Sequence, residues 1–264
     1  MNPVSTLGTA LITGAGKRLG RAMAVALAER GYDIAVHYAG SAEGASQTAE
    51  MCRAFGVRAQ TFQADLLDAG ATDALVPAVS QVMGPLTVLV NNASIFEYDT
   101  LASASAQSWD RHIGSNLRAP VFLTQAFAAQ VPEAGLDAGG EPVAPGLVIN
   151  MVDQRVRKLT PEFMTYTLAK AGLWAFTQTA ARALAPRVRV NAIGPGPTMQ
   201  GARQSPEHFA KQRAATVLKR GSSPDGIVRT LLYFLEAHEV TGQLICVDGG
   251  QHLGWKTPDV LGVE

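Results

Sequence analysis

Three side chains in this sequence have the types and spacing for proton chemistry: Asp153, Tyr166 and Lys170. Tyr166 and Lys170 are four residues apart, so on a helix they share one face a single turn apart. Residues 163–185 are rich in Ala and Leu and support that helix. A lysine cation beside a phenol favours the phenolate and lowers the tyrosine pKa. That makes Tyr166 a usable acid or base near neutral pH. Asp153 follows a short apolar run, 146–151, that reads as a buried strand. From there it meets the tyrosine across a strand-to-helix turn. The bland alternative is that Tyr-x-x-x-Lys arises by chance on helix surfaces, so the pair gains weight from the elements that precede it.

Residues 9–13 form a short apolar strand, and Gly14-Ala15-Gly16-Lys17-Arg18-Leu19-Gly20 follows at once. A helix then runs to Arg30 and stops at Gly31. Strand, glycine-rich turn and helix together make a phosphate cradle: glycines admit a pyrophosphate, and the helix N-terminus supplies N–H groups and a positive dipole end. The spacing is one residue longer than G-x-G-x-x-G. The second strand, 33–38, ends in His37-Tyr38-Ala39-Gly40-Ser41 with no acid to take ribose hydroxyls. With Lys17 and Arg18 nearby, the turn suits a 2′-phosphate, hence NADPH rather than NADH.

Further on, strands and helices alternate: helix 41–55, strand 57–63, helix 68–83, strand 86–90, helix 108–131, strand 187–193, helices 206–219 and 224–236, and strand 243–247. This pattern predicts a parallel α/β sheet with right-handed crossovers in a single domain over 1–264. Asp65, with Leu66 beside it, either accepts from an adenine amino group or caps the following helix. Asn91-Asn92-Ala93-Ser94-Ile95-Phe96 is a polar, small-residue turn after the fourth strand. Asn116 is a polar residue within an apolar helix, a sign of a local backbone bond or a water site. Residues 133–145 read as a surface loop.

The chain has 264 residues, 47% apolar composition and formal net charge +0. That supports one substantial core and gives no electrostatic case for nucleic acid or anionic membranes. Cys52 and Cys246 lack metal-ligand spacing, so free thiols in a reducing, cytoplasmic setting are expected, with no metal. No apolar stretch is long enough to span a membrane, and residues 1–8 do not read as a signal peptide.

Taken in order, Thr13-Gly14, Asn91-Asn92-Ala93, Asn116, Tyr166-x-x-x-Lys170, Pro195-Gly196 and Asp248-Gly249-Gly250 resemble the short-chain dehydrogenases/reductases along essentially the whole chain. The resemblance implies a Rossmann-type, doubly wound sheet of about seven strands in the order 3-2-1-4-5-6-7, assembled as a homotetramer. It implies Tyr166 as proton donor, Lys170 on the nicotinamide ribose, Asn116 anchoring a relay water, and Thr198 on the carboxamide. It places Gly14, Gly16, Leu19, Gly20, His37, Tyr38, Ser41, Asp65, Leu66, Asn92, Ala93, Ser94, Met151, Pro195 and Gly196 along the NADP site.

Two departures narrow the resemblance. Asp153 stands where the family carries a catalytic Ser, and Arg18 where it carries the middle Gly of the first turn. Both are similar to pteridine reductases, as are His37-Tyr38 and Ser94-x-Phe96. Gly40 stands where those reductases often carry an Arg for the 2′-phosphate, which shifts that duty to Lys17, Arg18, His37 and Ser41. An ionised Asp cannot donate to a carbonyl oxygen, but it can hold a phenol protonated. The expected reaction is therefore NADPH-dependent reduction of a pterin. Arg18, Ser94, Phe96, Asp153 and Tyr166 would form its substrate site. A carbonyl reductase acting on an acyl thioester, sugar or quinone is the enzymatic alternative, and an NADP-binding regulator the non-enzymatic one.

Overall fold

The computed structural model describes residues 7–201 and 204–255. Most of the N-terminal stretch 1–8 read for a leader lies outside them. Seven parallel strands form the main sheet: β1 (Thr9–Ile12), β2 (Asp33–Tyr38), β3 (Ala59–Gln63), β4 (Leu86–Asn91), β7 (Gly146–Met151), β8 (Val188–Pro195) and β9 (Leu244–Val247). Their order is β3-β2-β1-β4-β7-β8-β9, as expected, with two short strands outside the sheet. Those two, β5 (Gly135–Leu136) and β6 (Pro142–Val143), pair antiparallel and turn the expected surface loop into an exposed hairpin. Asp137 Oδ1 holds that hairpin by accepting from the N–H groups of Gly139 and Glu141.

Helices cover both faces, because central strands buried on two sides read as continuous apolar runs. On one face α1 (Arg18–Glu29), α2 (Ala42–Arg53) and α8 (Pro224–Glu236) pack on Ile12, Ile34, Val36, Val90 and Ile149. On the other, α3 (Ala69–Met83), α5 (Ala119–Gln130) and α6 (Met164–Leu184) pack on Leu11, Leu86, Leu89, Val148 and Val190. The helix expected over 108–131 is two helices. α4 (Ala106–Ile113) and α5 are separated by a π-helical turn, Gly114–Arg118, that contains Asn116. α7 spans Pro206–Ala214, shorter than expected. The carboxyl ends of β1, β4, β7 and β8 open onto one edge, where open α/β folds bind ligands.

Candidate active site

The glycine-rich turn closes a cleft of about 380 Å³, lined by Gly14, Lys17, Arg18, Leu19, Gly20, His37, Asp65, Leu66, Asn92, Ala93 and Ser94 among others. A Cβ on Gly20 would lie 2.4 Å from the Gly14 carbonyl oxygen, which leaves room for glycine alone, and Gly14, at φ 64° and with Ala93 Cα 3.0 Å from where a Cβ would stand, strains any side chain. The Lys17 side chain at the N-cap makes no cap bond to α1, and the first turn of that helix carries no acid. Its leading N–H groups therefore face the cleft ready for an anion, and the turn fits a dinucleotide pyrophosphate. Thr13 and Asn92 tie the turn to β4. Thr13 Oγ1 accepts from the N–H groups of Asn92 and Ala93, each at 2.9 Å, and Asn92 Nδ2 donates to the Thr13 carbonyl at 2.8 Å.

Two expected phosphate cations behave differently from the sequence reading. His37 is 1% exposed, and its Nδ1 accepts the Gly14 N–H at 3.0 Å. An amide can only donate, so Nε2 carries the proton and donates to the Ala64 carbonyl at 3.0 Å. Burial drives its pKa down to about 4, against the pull of Ala64 and Asp65. His37 is thus a neutral rivet and offers no cation to a phosphate. Arg18 takes φ 54°, the left-handed conformation that a glycine adopts without strain. Its guanidinium donates to the carbonyls of Gln200 at 2.8 Å and Met199 at 3.1 Å, across the cleft mouth. Lys17 stays exposed, and Ser41 borders Gly16, at 3.4 Å from where a Cβ would stand. Tyr38 packs against the core beside α1 and α2. Asp65 does not cap α3. Asp68 does, accepting from Ala71 N–H at 2.8 Å, while Asp65 Oδ1 takes Leu67 N–H at 2.9 Å and the residue lines the cleft.

Beyond Ser94 of the cleft lining, Tyr166 donates to Asp153 Oδ2 at 2.9 Å, and Asp153 Oδ1 accepts the Arg155 N–H at 2.8 Å. Lys170, 2% exposed, donates to the Met151 carbonyl at 2.7 Å, and its Nζ lies 5.7 Å from the Tyr166 ring centre. Burial first, and then the Asp153 charge, push the Tyr166 pKa well above its ordinary value. The lysine therefore does not make this phenol acidic, contrary to what its spacing suggests. Burial also lowers Lys170 to about 8, with Asp153 opposing. Burial raises Asp153, against the hydrogen bonds from Arg155 and Tyr166. The stable arrangement is a protonated phenol donating to a carboxylate.

Phe96 is 46% exposed, so it is not a core ring. It stacks on Phe163 with centroids 4.4 Å apart and planes 6° apart, and it meets Tyr166 edge-on at 4.7 Å. Arg155 covers the Phe163 ring at 5.0 Å. Phe163 lies three residues before Tyr166, and that helical spacing between aromatics is the signal in the sequence that points to it. Asn116 is fully buried, and both ends of its amide engage Ile95: Nδ2 donates to the carbonyl and Oδ1 accepts the N–H, each at 2.8 Å. Its side chain thus holds the loop after β4 from within the π-turn. Pro195 ends β8, and Gly196 just after it packs on Asp248, 2.6 Å from where a Gly196 Cβ would stand. Thr198 bonds the Gly196 carbonyl at 2.9 Å and the hydroxyl of Ser222, so its own hydroxyl is already engaged.

A glycine-lined cleft with a Tyr-Lys pair beyond its Ser94 wall defines a nucleotide-dependent oxidoreductase, and the family model described as enoyl-(acyl carrier protein) reductase matches residues 14–252. The chain belongs to the short-chain dehydrogenase/reductase family. It resembles the crystal structure of FolM alternative dihydrofolate reductase 1 from Brucella suis in complex with NADP. The TM-score is 0.88 and the identity 42%, over 96% of this chain and 98% of that one. It is 33% identical to the 3-oxoacyl-[acyl-carrier-protein] reductase FabG of Staphylococcus aureus, over 93% of this chain and 98% of that protein. The angucycline C-6 ketoreductase LanV with bound NADP aligns with TM-score 0.84 and 29% identity, over 94% of this chain and 97% of that one.

Proposed function

We propose that this protein reduces pterins with NADPH, taking a dihydropterin to its tetrahydro form and accepting an oxidised pterin or dihydrofolate on the same geometry. The observation that carries this reading is the Tyr166–Asp153 hydrogen bond beside the half-exposed ring of Phe96. The cofactor is NADP(H), which supplies the hydride when bound. Gly14, Gly16, Leu19, Gly20 and the first turn of α1 would hold its pyrophosphate, with Asp65, Leu66, Asn92, Ala93, Ser94, Met151, Pro195, Gly196 and Thr198 along its length. Lys17 and Ser41 remain for the 2′-phosphate. One of the three Lys170 N–H bonds is spent on Met151, which leaves two for the nicotinamide ribose.

Asp153 offers no proton to a ketone oxygen, so it does not assist ordinary carbonyl reduction as a serine would. It does hold the Tyr166 phenol protonated, and the phenol gives that proton to a ring nitrogen. The ring of Phe96 supplies a flat apolar face for a planar bicycle. The FolM likeness supports this substrate. The likeness to FabG and LanV supports the alternative, a carbonyl reductase. Steady-state NADPH oxidation with dihydrobiopterin, set against a panel of ketones and 3-oxoacyl thioesters, decides between them. Turnover on the ketones alone sinks the pterin reading, and turnover on neither favours a binding protein. We also propose a homotetramer, supported by Trp109, Phe122 and Leu168, which stand exposed on α4, α5 and α6. Light scattering of the purified chain tests it.

A further inference from the structure

Directly behind Tyr166 lies a second set of buried polar groups that proton transfer does not use. His112, on α4, is fully buried, and its ring meets the Tyr166 ring edge-on at 6.0 Å. Its Nε2 accepts the Glu97 N–H at 3.1 Å, and its Nδ1 lies 2.7 Å from Thr165 Oγ1. A backbone N–H can only donate, so Nε2 is bare and Nδ1 carries the proton to Thr165. The Thr165 hydroxyl then gives its own proton to the Asp99 carboxylate. Asp99 also accepts the Thr165 N–H at 3.2 Å through Oδ1, and the Phe163 N–H at 2.8 Å through its backbone carbonyl. Donor and acceptor direction is fixed at every step from the loop amide to the carboxylate.

This chain joins two things that substrate reduction needs together. The first is α6. Its N-cap is Phe163, in the left-handed conformation, and no side chain of that residue covers the first turn. Asp99 supplies the missing cap from the loop after β4, setting a carboxylate at the N-terminus of the helix that carries Tyr166 and Lys170. The second is the loop itself. Asn116 grips Ile95 at both backbone groups, and His112 grips the Glu97 N–H. The Glu97 carboxylate reinforces this with an ion pair to Arg111 on α4, at 2.8 Å. Phe96 is the one residue between the two grips, so its ring has little freedom to leave Tyr166.

We propose that Asp99, Thr165 and His112 are positioning residues that lock the loop of Phe96 to the helix of Tyr166, keeping ring and proton donor at one spacing during turnover. The role of Phe96 as the ring over the substrate rests on the pterin reading; the lock on Tyr166 does not. Burial holds the His112 pKa down and keeps the ring in the neutral form that accepts from Glu97, against the opposing pull of Asp99 and Glu97. A protonated ring would set two donors face to face.

Thr165→Val removes the hydroxyl at nearly constant volume, whereas Thr165→Ser keeps it. The valine variant is expected to lose about tenfold to a hundredfold in kcat, with the KM for NADPH within about twofold of wild type, as a displaced proton donor requires. The serine variant recovers most of that loss. A purely structural role would instead move both cofactor and substrate constants together and give serine no advantage. As a measurement free of turnover, amide hydrogen exchange over 95–100 should quicken in His112→Phe while exchange in β1 and α1 stays as it was. If the wild type reduces ketones and not dihydrobiopterin, the pterin reading fails and the same variants are measured on the ketone. Unchanged kcat in Thr165→Val, or unchanged exchange over 95–100 in His112→Phe, overturns the lock.

Discussion

The glycine turn and the Tyr166 region each rest on a buried neutral histidine that accepts a backbone N–H, Gly14 on His37 and Glu97 on His112. What surrounds them differs. At the nucleotide end the partners are almost all backbone: glycines without room for a Cβ, the Thr13 hydroxyl on two amides, and the Ala64 carbonyl. At the substrate end the partners are charged or aromatic: Asp99, Asp153, Lys170, Phe96, Phe163 and Tyr166. A phosphate cradle is shaped by main chain and tolerates few residue types. A reacting site is shaped by side chains drawn from separate elements, and its residue types can change with the substrate.

Four perturbations test that contrast, in descending order of effect. At the substrate end Tyr166→Phe should lower kcat by about a hundredfold or more, the span assigned to a lost general acid, while the Kd for NADPH stays near wild type. Near-native kcat would show that another group delivers the proton. At the nucleotide end, the pKa of His37 is near 4 in the fold against 6.5 in the unfolded chain. A depressed pKa gives stability that is complete above 6.5 and is lost as pH falls from 6.5 towards 4. The full loss is about 3 kcal/mol, and denaturant unfolding of wild type and His37→Gln between pH 7 and 4 measures it. Parallel pH slopes for the two proteins would remove His37 from the account. Lys17→Ala should cost about 1.5–3 kcal/mol of NADPH-over-NADH preference, read as the ratio of kcat/KM values. An unchanged ratio would assign the 2′-phosphate elsewhere. Phe96→Ala should raise the pterin KM severalfold, from about 0.5–1.5 kcal/mol of stacking, with little change in Tm because the ring is half exposed. A large drop in Tm would return Phe96 to the core.

The same contrast explains what could be read in the chain before folding. The succession of strands and helices, the glycine turn and the Tyr166–Lys170 pair are local patterns, carried by alternation, by glycine and by helical spacing, whereas the strand order came only from the family resemblance. Asp153 was legible because it lies two residues past the end of a strand. His37 was legible as a member of the cleft, but its protonation state was not, since Gly14 and Ala64 meet it only through the parallel pairing of β1, β2 and β3. Asp99, His112 and Thr165 were illegible for the same reason. They come from three segments and carry no spacing of their own. The π-turn at Asn116 also escaped the pattern, because apolar periodicity continues through it and hides the change of hydrogen-bond partner.

The borrowed cap on α6 has a consequence for how this site can change. A helix usually carries its starting residue in the segment just before it, and that segment cannot vary without fraying the helix. Here the starting group belongs to Asp99, far away in the chain, and the stretch 157–162 just ahead of the helix is exposed. Among the described residues the Thr160 hydroxyl bonds to its neighbours Arg155 and Glu162, while Arg157 lies over the Trp174 ring and Lys158 donates to the Gly254 carbonyl. Evolution, or an engineer, can rewrite residues 159–162 of that rim while Tyr166 stays seated on the cap that Asp99 supplies.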